Sequence, residues 1–445
     1  MIAGVSSGCG KTTVVCAVLQ ALVNRGLRVA SFKCGPDYID PMFHESVIGA
    51  DSHNLDGYFC GGKMLRRLLA DNSEGADISL VEGVMGFYDG ICGKASSHAL
   101  SLDIDCPAAV VIDCKGMSTS IGAVMGGFLN FRRPNRIAGF IFNRLPAQLV
   151  PEVKSLCEEC GTEFLGYFPK CPEAALESRK LGLVTPDGVS ELKQKTQLLA
   201  EKAEQFINID RILELSEMPP LSDLAELPPA REKRVKTAVA RDCAFSFIYR
   251  DNMRLLERLG AEIAYFSPLD DEAVPRGADG LILCGGYPEL FAERLSKNRS
   301  MLGSVRECIQ RGMPVIAECG GFMYLHEYLR AEDGTEFPLV GAIPGKCFPT
   351  PKLQRFGYVN LHAESDNLLC RKGGVIPAHE FHYWDSENCG SGFTAVKEST
   401  GKRWECVHSG KTMYAGFPHL YFYADIPAAE SFIEACARFG GKNEI

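Results

Sequence analysis

The stretch "GVSSGCGKTT" (Gly4–Thr13) constrains this chain more than any other. It is a glycine-rich turn that ends in Gly10-Lys11-Thr12 and leads into the apolar run "TTVVCAVLQALVNRG". A turn of this kind, set between a strand and a helix, is a phosphate-binding loop. Such a loop works only where a buried strand hands over to a helix N-terminus, so it commits the chain to an α/β sheet. The usual spacing is shorter by one, because five residues separate Gly4 from Gly10. Only Met1–Ala3 precede the loop. The reading therefore expects either a very short central strand or a true start that lies upstream.

The extra residue leaves the chemistry intact. Gly8 and Gly10 let backbone N–H groups turn inward on phosphate oxygens. Lys11 can reach the β and γ phosphates, the hydroxyl of Thr12 can meet Mg²⁺, and Thr13 is a further nucleotide-binding candidate. Two further segments fall where an open α/β sheet binds its ligands, beyond the carboxyl ends of the strands. They are "SFKCGPDYIDPMFH" (Ser31–His44) and "VEGVMGFYDG" (Val81–Gly90). Carboxylates collect there: Asp37, Asp40, Asp56, Glu82 and Asp89. A Mg²⁺–ATP site needs the loop hydroxyl and one or two such groups, and Thr12, Asp56 and Glu82 are the candidates. Lys33, at a strand end, can balance phosphate or substrate carboxylate charge.

Length asks for more than one domain, since 445 residues exceed the ~150 typical of one. Up to about residue 145 the runs "RVASF", "ISLVEG", "AAVVIDC" and "IAGFIFN" alternate with helix-like segments, the mark of a buried parallel sheet. The stretch Ser216–Arg234, with two Pro-Pro pairs and a charge run, reads as a linker. Strand–helix alternation then restarts with "KTAVARD", "AEIAYF", "ADGLILCGG" and "MPVIAECGG". The expected domains are 1–215, a linker at 216–235, and 236–445. Each domain should be an α/β unit with a mostly parallel sheet flanked by helices.

Composition excludes other classes. A net charge of −9 leaves no basic footprint for nucleic acid. No apolar run reaches the ~18 residues that span a membrane. Nineteen cysteines without a secretory signal read as reduced thiols in a cytoplasmic protein. The Cys157/Cys160 pair reads as structural, because no two further ligands cluster with it for zinc.

Among those cysteines Cys319 stands apart. "PVIAECGGFMYL" (Pro314–Leu325) places it between a buried strand and a helix, with Gly320 and Gly321 behind it. That is a nucleophile elbow, where a tight turn lifts the thiol and a helix N-terminus lowers its pKa. His419 in "AGFPHLYFYAD" can serve as its base, and Gly286 in "LCGGYPEL" can offer an oxyanion-holding amide. "PAHEFHYW" adds His379, Glu380 and His382, residue types that can bind a metal, read here as a packed strand near the thiol site.

These motifs carry a resemblance. The first half is similar to dethiobiotin synthetase-like P-loop enzymes, ligases that phosphorylate a carboxylate. The second half resembles a class I glutamine amidotransferase domain. In order along the chain, "SSGCGKTT", "FKCGPDYIDPMFH", "NLDGYF", "VEGVMGFYDG", "GGYPEL", "ECGGFMYL" and "FPHLYF" resemble the cobyrinic acid a,c-diamide synthase family over nearly the whole length. The resemblance implies amidation of the a and c carboxylates of a corrin in cobalamin biosynthesis, with one ATP and one glutamine spent on each. It implies Mg²⁺ with ATP, L-glutamine and cobyrinic acid or a related tetrapyrrole as partners, and assembly as a homodimer. It assigns Asp37, Tyr38, Asp40, Glu82 and Asp89 to the synthetase site. The triad amidases carry a Glu two residues after the histidine; here that position is Tyr421, as in the cobyrinate and cobyrate synthase branch. Nickel sirohydrochlorin is the alternative substrate, and a partitioning-type P-loop ATPase the alternative class, although the signature lysine early in its loop is missing here.

Overall fold

The computed structural model describes residues 1–91, 93–174 and 186–441. The chain divides into two compact units, Met1–Glu226 and Leu227–Ile445, so the division falls inside the Pro-rich stretch. The two parts of that stretch bond to different units. The Ala225 N–H donates to Lys63 O in the first, and the Arg231 N–H to Arg258 O in the second.

The first unit is built on seven strands: β1 Ile2–Gly4, β2 Val29–Cys34, β3 Asp51–Leu55, β4 Ile78–Glu82, β5 Ala108–Asp113, β6 Ile137–Asn143 and β7 Glu163–Phe168. They lie in the order β3-β2-β4-β1-β5-β6-β7, and every pairing is parallel. The strand β1 is short and central: Ile2 is paired with both Glu82 and Ala109. Runs such as "AAVVID" and "IAGFIFN" are apolar on both faces because helices cover both. Helix α1 (Lys11–Asn24) is buried along Val14–Leu19 and at Ala21 and Leu22. It belongs to one core with Leu199, Ala200 and Ala203 of the helix Pro186–Phe206. Each buried valine or leucine among them contributes roughly 1.5–3 kcal/mol, so α1 and the loop before it are firmly placed.

Strand β3 lies outside the expected set. Its sequence "DSHNL" has a single apolar residue, Leu55, although Ser52, His53 and Asn54 are buried beside it. It pairs only with β2 and forms one edge of the sheet.

The second unit has a six-stranded sheet in the order Ala261–Phe266, Val235–Ala240, Gly280–Leu283, Val315–Glu318, Met413–Gly416 and His408–Gly410. All its pairings are parallel except the last. The helices Arg250–Arg258 and Ile426–Phe439 share one of its cores. It also contains an antiparallel sheet ordered Arg403–Cys406, Phe393–Val396, Arg355–Ala363, Val375–His382 and His419–Leu420. Its alternating register puts polar and apolar residues on opposite faces, a pattern quite unlike the parallel runs.

Candidate functional site

The phosphate loop leaves β1 and enters α1 through Gly10, which takes φ 89°, a left-handed conformation that suits glycine. The Asn143 side chain, at the end of β6, donates to Cys9 O at 2.9 Å and occupies the place a Gly10 Cβ would need. Cys9 is itself buried, its sulfur packed where a Gly4 Cβ would be. Gly8 is also left-handed, at φ 75°. Lys11, Thr12 and Thr13 form the first turn of α1, each half-buried.

Around that turn the structure gathers a charge network. The Thr12 hydroxyl donates to Glu82 Oε1 at 2.8 Å. Lys33 Nζ stands 3.1 Å from the same oxygen and also bonds to Asp40. Strand pairing produces this meeting, because Lys33 in β2 is the register partner of Glu82 in β4. Burial works against the Lys33 charge, but Glu82, Asp40 and Asp37 outweigh it and hold the ammonium well above its ordinary range. Burial and the neighbouring Asp40 raise the Glu82 carboxyl, against the pull of Lys33 and Lys11. Burial and Lys33 together lower Lys11, whose Nζ donates to Met85 O at 3.1 Å.

The other acidic candidates divide. Asp37 Oδ1 accepts the N–H groups of Ile39 and Asp40 at 2.8 and 3.2 Å, which starts the short helix α2 (Ile39–Phe43). Desolvation and Asp40 push Asp37 up to about 6. Tyr38 is buried just ahead of α2. Asp89, exposed, accepts the Gly86 N–H at 2.9 Å and so shapes the segment after β4. That segment is tied to the loop strand, with the Gly83 N–H on Ile2 O and the Phe87 N–H on Gly4 O. Asp56 follows β3, two strands from β4 in the sheet order. Its Oδ1 accepts the Tyr58 N–H at 2.8 Å.

Sequence reasoning missed His44. It is wholly buried, with Nδ1 2.9 Å from Ser31 Oγ and Nε2 3.6 Å from Glu82 Oε2. Burial lowers it to about 4, so it stays neutral beside Glu82. A histidine closing "DPMFH" gives no local sign of this role.

In the second unit Cys319 follows the strand Val315–Glu318 at φ 47° and ψ −103°, ahead of the short helix Gly320–Tyr324. A left-handed φ at a non-glycine residue is strained, and strain of this kind gathers at functional turns. The Cys319 N–H donates to Gly416 O at 2.8 Å. This bond extends the parallel pairing of Val315–Glu318 with Met413–Gly416 and returns the chain toward the thiol at His419. Gly286 sits opposite, its amide nitrogen 3.0 Å from where a Gly320 Cβ would stand. A Cβ at Gly285 would come 2.5 Å from His419 Cε1, so the glycine makes room for the ring.

His419 Nδ1 stands 3.5 Å from Glu318 Oε2, an ion-pair distance. Burial disfavours a charged ring, but the Cys319 thiol and the Glu318 carboxylate outweigh it and raise His419 to about 10. An imidazolium is the partner a reactive thiolate needs. Tyr421, at the position where triad amidases carry their acid, is buried and its hydroxyl donates to Asp251 Oδ2 at 3.4 Å.

Residues Pro377–His382 of the "PAHEFHYW" segment lie in the strand Val375–His382, and His379 is the register partner of His419. His382 stacks on Phe417 with ring centroids 3.9 Å apart. Among the described residues no three His, Cys, Asp or Glu side chains converge as a metal cage, this trio included. No described cysteine is paired with another. Cys157 packs on Met125, and Cys160 faces Gly122 O. No helix among the described residues is long and apolar enough to cross a membrane.

Two family models match the chain. Residues 1–183 match the CobQ/CobB/MinD/ParA nucleotide binding domain, and residues 236–426 match the CobB/CobQ-like glutamine amidotransferase domain. Over 450 residues the chain is 38% identical to a cobyrinate a,c-diamide synthase of Caldanaerobacter subterraneus subsp. tengcongensis, covering 99% of each. Proteins of the same name from Thermoplasma volcanium and Priestia megaterium are each 37% identical. They are matched over 98% and 96% of their lengths, and over 100% and 98% of this chain.

Proposed function

The chain belongs to the cobyrinate a,c-diamide synthase family, and from that premise we propose that it amidates the a and c carboxylates of cobyrinic acid with ATP and glutamine. One observation supports this reading above the rest: Cys319 is held at φ 47° beside a histidine raised to about 10, in a chain whose other unit carries a phosphate loop. Such a pair releases ammonia from glutamine. The thiolate attacks the side-chain amide carbon, the Gly286 and Gly320 amides steady the oxyanion, and His419 gives its proton to the departing ammonia. Water then cleaves the thioester to glutamate.

In the synthetase unit a substrate carboxylate oxygen attacks the γ-phosphorus of ATP, and ADP leaves. Ammonia attacks the resulting acyl phosphate, and phosphate leaves. Activation is needed because a carboxylate would otherwise have to expel oxide. Lys11 and Lys33 neutralise phosphate and carboxylate charge, and Asp37, Asp40 and Asp89 shape the substrate side. Glu82 Oε2 is buried without a hydrogen-bond partner, while Oε1 holds the Thr12 hydroxyl. That donor set fits a cation, so Thr12 and Glu82, with Asp56 from the turn after β3, would hold the Mg²⁺ that accompanies ATP. When bound, the ion supplies charge neutralisation on the transferring phosphoryl group.

The test offers cobyrinic acid and nickel sirohydrochlorin side by side and follows the products by mass spectrometry. The reading expects two successive mass losses of about 1 Da, OH replaced by NH₂, on cobyrinic acid, with ADP release that requires the tetrapyrrole. Amidation of the nickel compound alone would replace the substrate. ATP hydrolysis indifferent to either would overturn the synthase reading.

A further inference from the structure

We propose that Glu318, the residue before the nucleophile, is the positioning residue of His419. It takes from the thiol's own strand the part that an acid beyond the histidine plays in triad amidases. This rests on the reading of Cys319 and His419 as the glutaminase pair.

The geometry is specific. Glu318 is buried, and its two oxygens divide between two neighbouring residues. Oε1 accepts the Leu420 N–H at 3.1 Å, and Oε2 stands 3.5 Å from His419 Nδ1. One carboxylate thus faces the ring at ion-pair distance and holds the backbone that carries it. Asn252 secures the same segment, donating to Leu420 O and accepting the Phe422 N–H, each at 2.8 Å. Tyr421 is committed to Asp251 and packs edge-on against Tyr249 at 5.0 Å. The charged or titratable groups facing the ring are Glu318 and Cys319 from the central sheet and His379 from the adjoining strand. Burial and the proximity of His419 lower His379 to about 3, so it stays neutral. Glu318 is therefore the anion that steadies an imidazolium here, as the buried acid of a hydrolytic triad does.

Glu318→Gln keeps the shape and an acceptor for Leu420. With the full chain, we expect kcat for glutamine hydrolysis to fall by roughly 10²-fold or more, with KM little changed. The pH midpoint of Cys319 alkylation by iodoacetamide should rise by about one unit or more. Ammonium-dependent synthesis and the melting temperature should stay near wild type, and Glu318→Asp should recover part of the lost rate. An alkylation profile superimposable on wild type with full glutaminase activity would overturn the role of Glu318 and leave the glutaminase pair standing. So would a loss of rate that comes with a lowered melting temperature and an unmoved alkylation midpoint. If wild-type protein hydrolyses no glutamine, the pair itself is misread and the proposal falls with it.

Discussion

A single charge decides much at each site. Cys319→Ser should lower glutamine-dependent synthesis by about 10³-fold or more while leaving synthesis from ammonium salts intact; steady-state assays with both nitrogen donors check this. Glu82→Gln should do the reverse, removing synthesis from either donor while glutamine hydrolysis continues. Asp37 offers a test by stability. Its folded pKa of about 6 lies above the unfolded value, so the folded state holds a proton that the unfolded chain releases between about pH 4 and 6. Stability contributed by this group is thus lost as pH rises through that window. Asp37→Asn, which keeps the oxygen that starts α2, should raise stability by on the order of 2 kcal/mol above pH 7. The gain should fade toward pH 4 in melting curves, and synthesis should suffer in exchange.

At the scale of elements, what could be read from sequence follows the chemistry of burial. The inner parallel strands announce themselves because both faces are covered and their residues are mostly apolar; "IAGFIFN" matches its strand end to end, and so does "AEIAYF" at the edge of the second unit's sheet. Strand β3 stayed hidden because Ser52, His53 and Asn54 are polar yet buried; the Asn54 amide donates to Gly35 O and Asp37 O on another segment. The loop, Lys33 and the elbow were legible, since each sits at a strand end with a recognisable turn. Glu318 lay inside a quoted motif and went unread, because its importance depends on a strand some 95 residues later pairing alongside and returning His419 to it. Gly285 belongs to the same class. Gly285→Ala should displace the His419 ring and cut glutaminase activity by about 10²-fold, with ammonium-dependent synthesis retained; the same two-donor assay reads it.

The whole molecule is two units with separate cores, joined through a stretch without regular structure. Limited proteolysis should cut within residues 217–230, where exposed backbone is the preferred target. Mass spectrometry should then find two resistant fragments, with glutamine hydrolysis remaining in the C-terminal one. A further consequence lies in the first turn of the first unit. Gly4 and Cys9 share one space, the sulfur filling what a methyl group at position 4 would claim. Neither residue can be exchanged alone for a bulkier one without an overpacking cost of about 1–3 kcal/mol. Across the history of such a loop these two positions are therefore bound to one another: a lineage that gains a side chain at the fourth residue must first have lost one at the ninth.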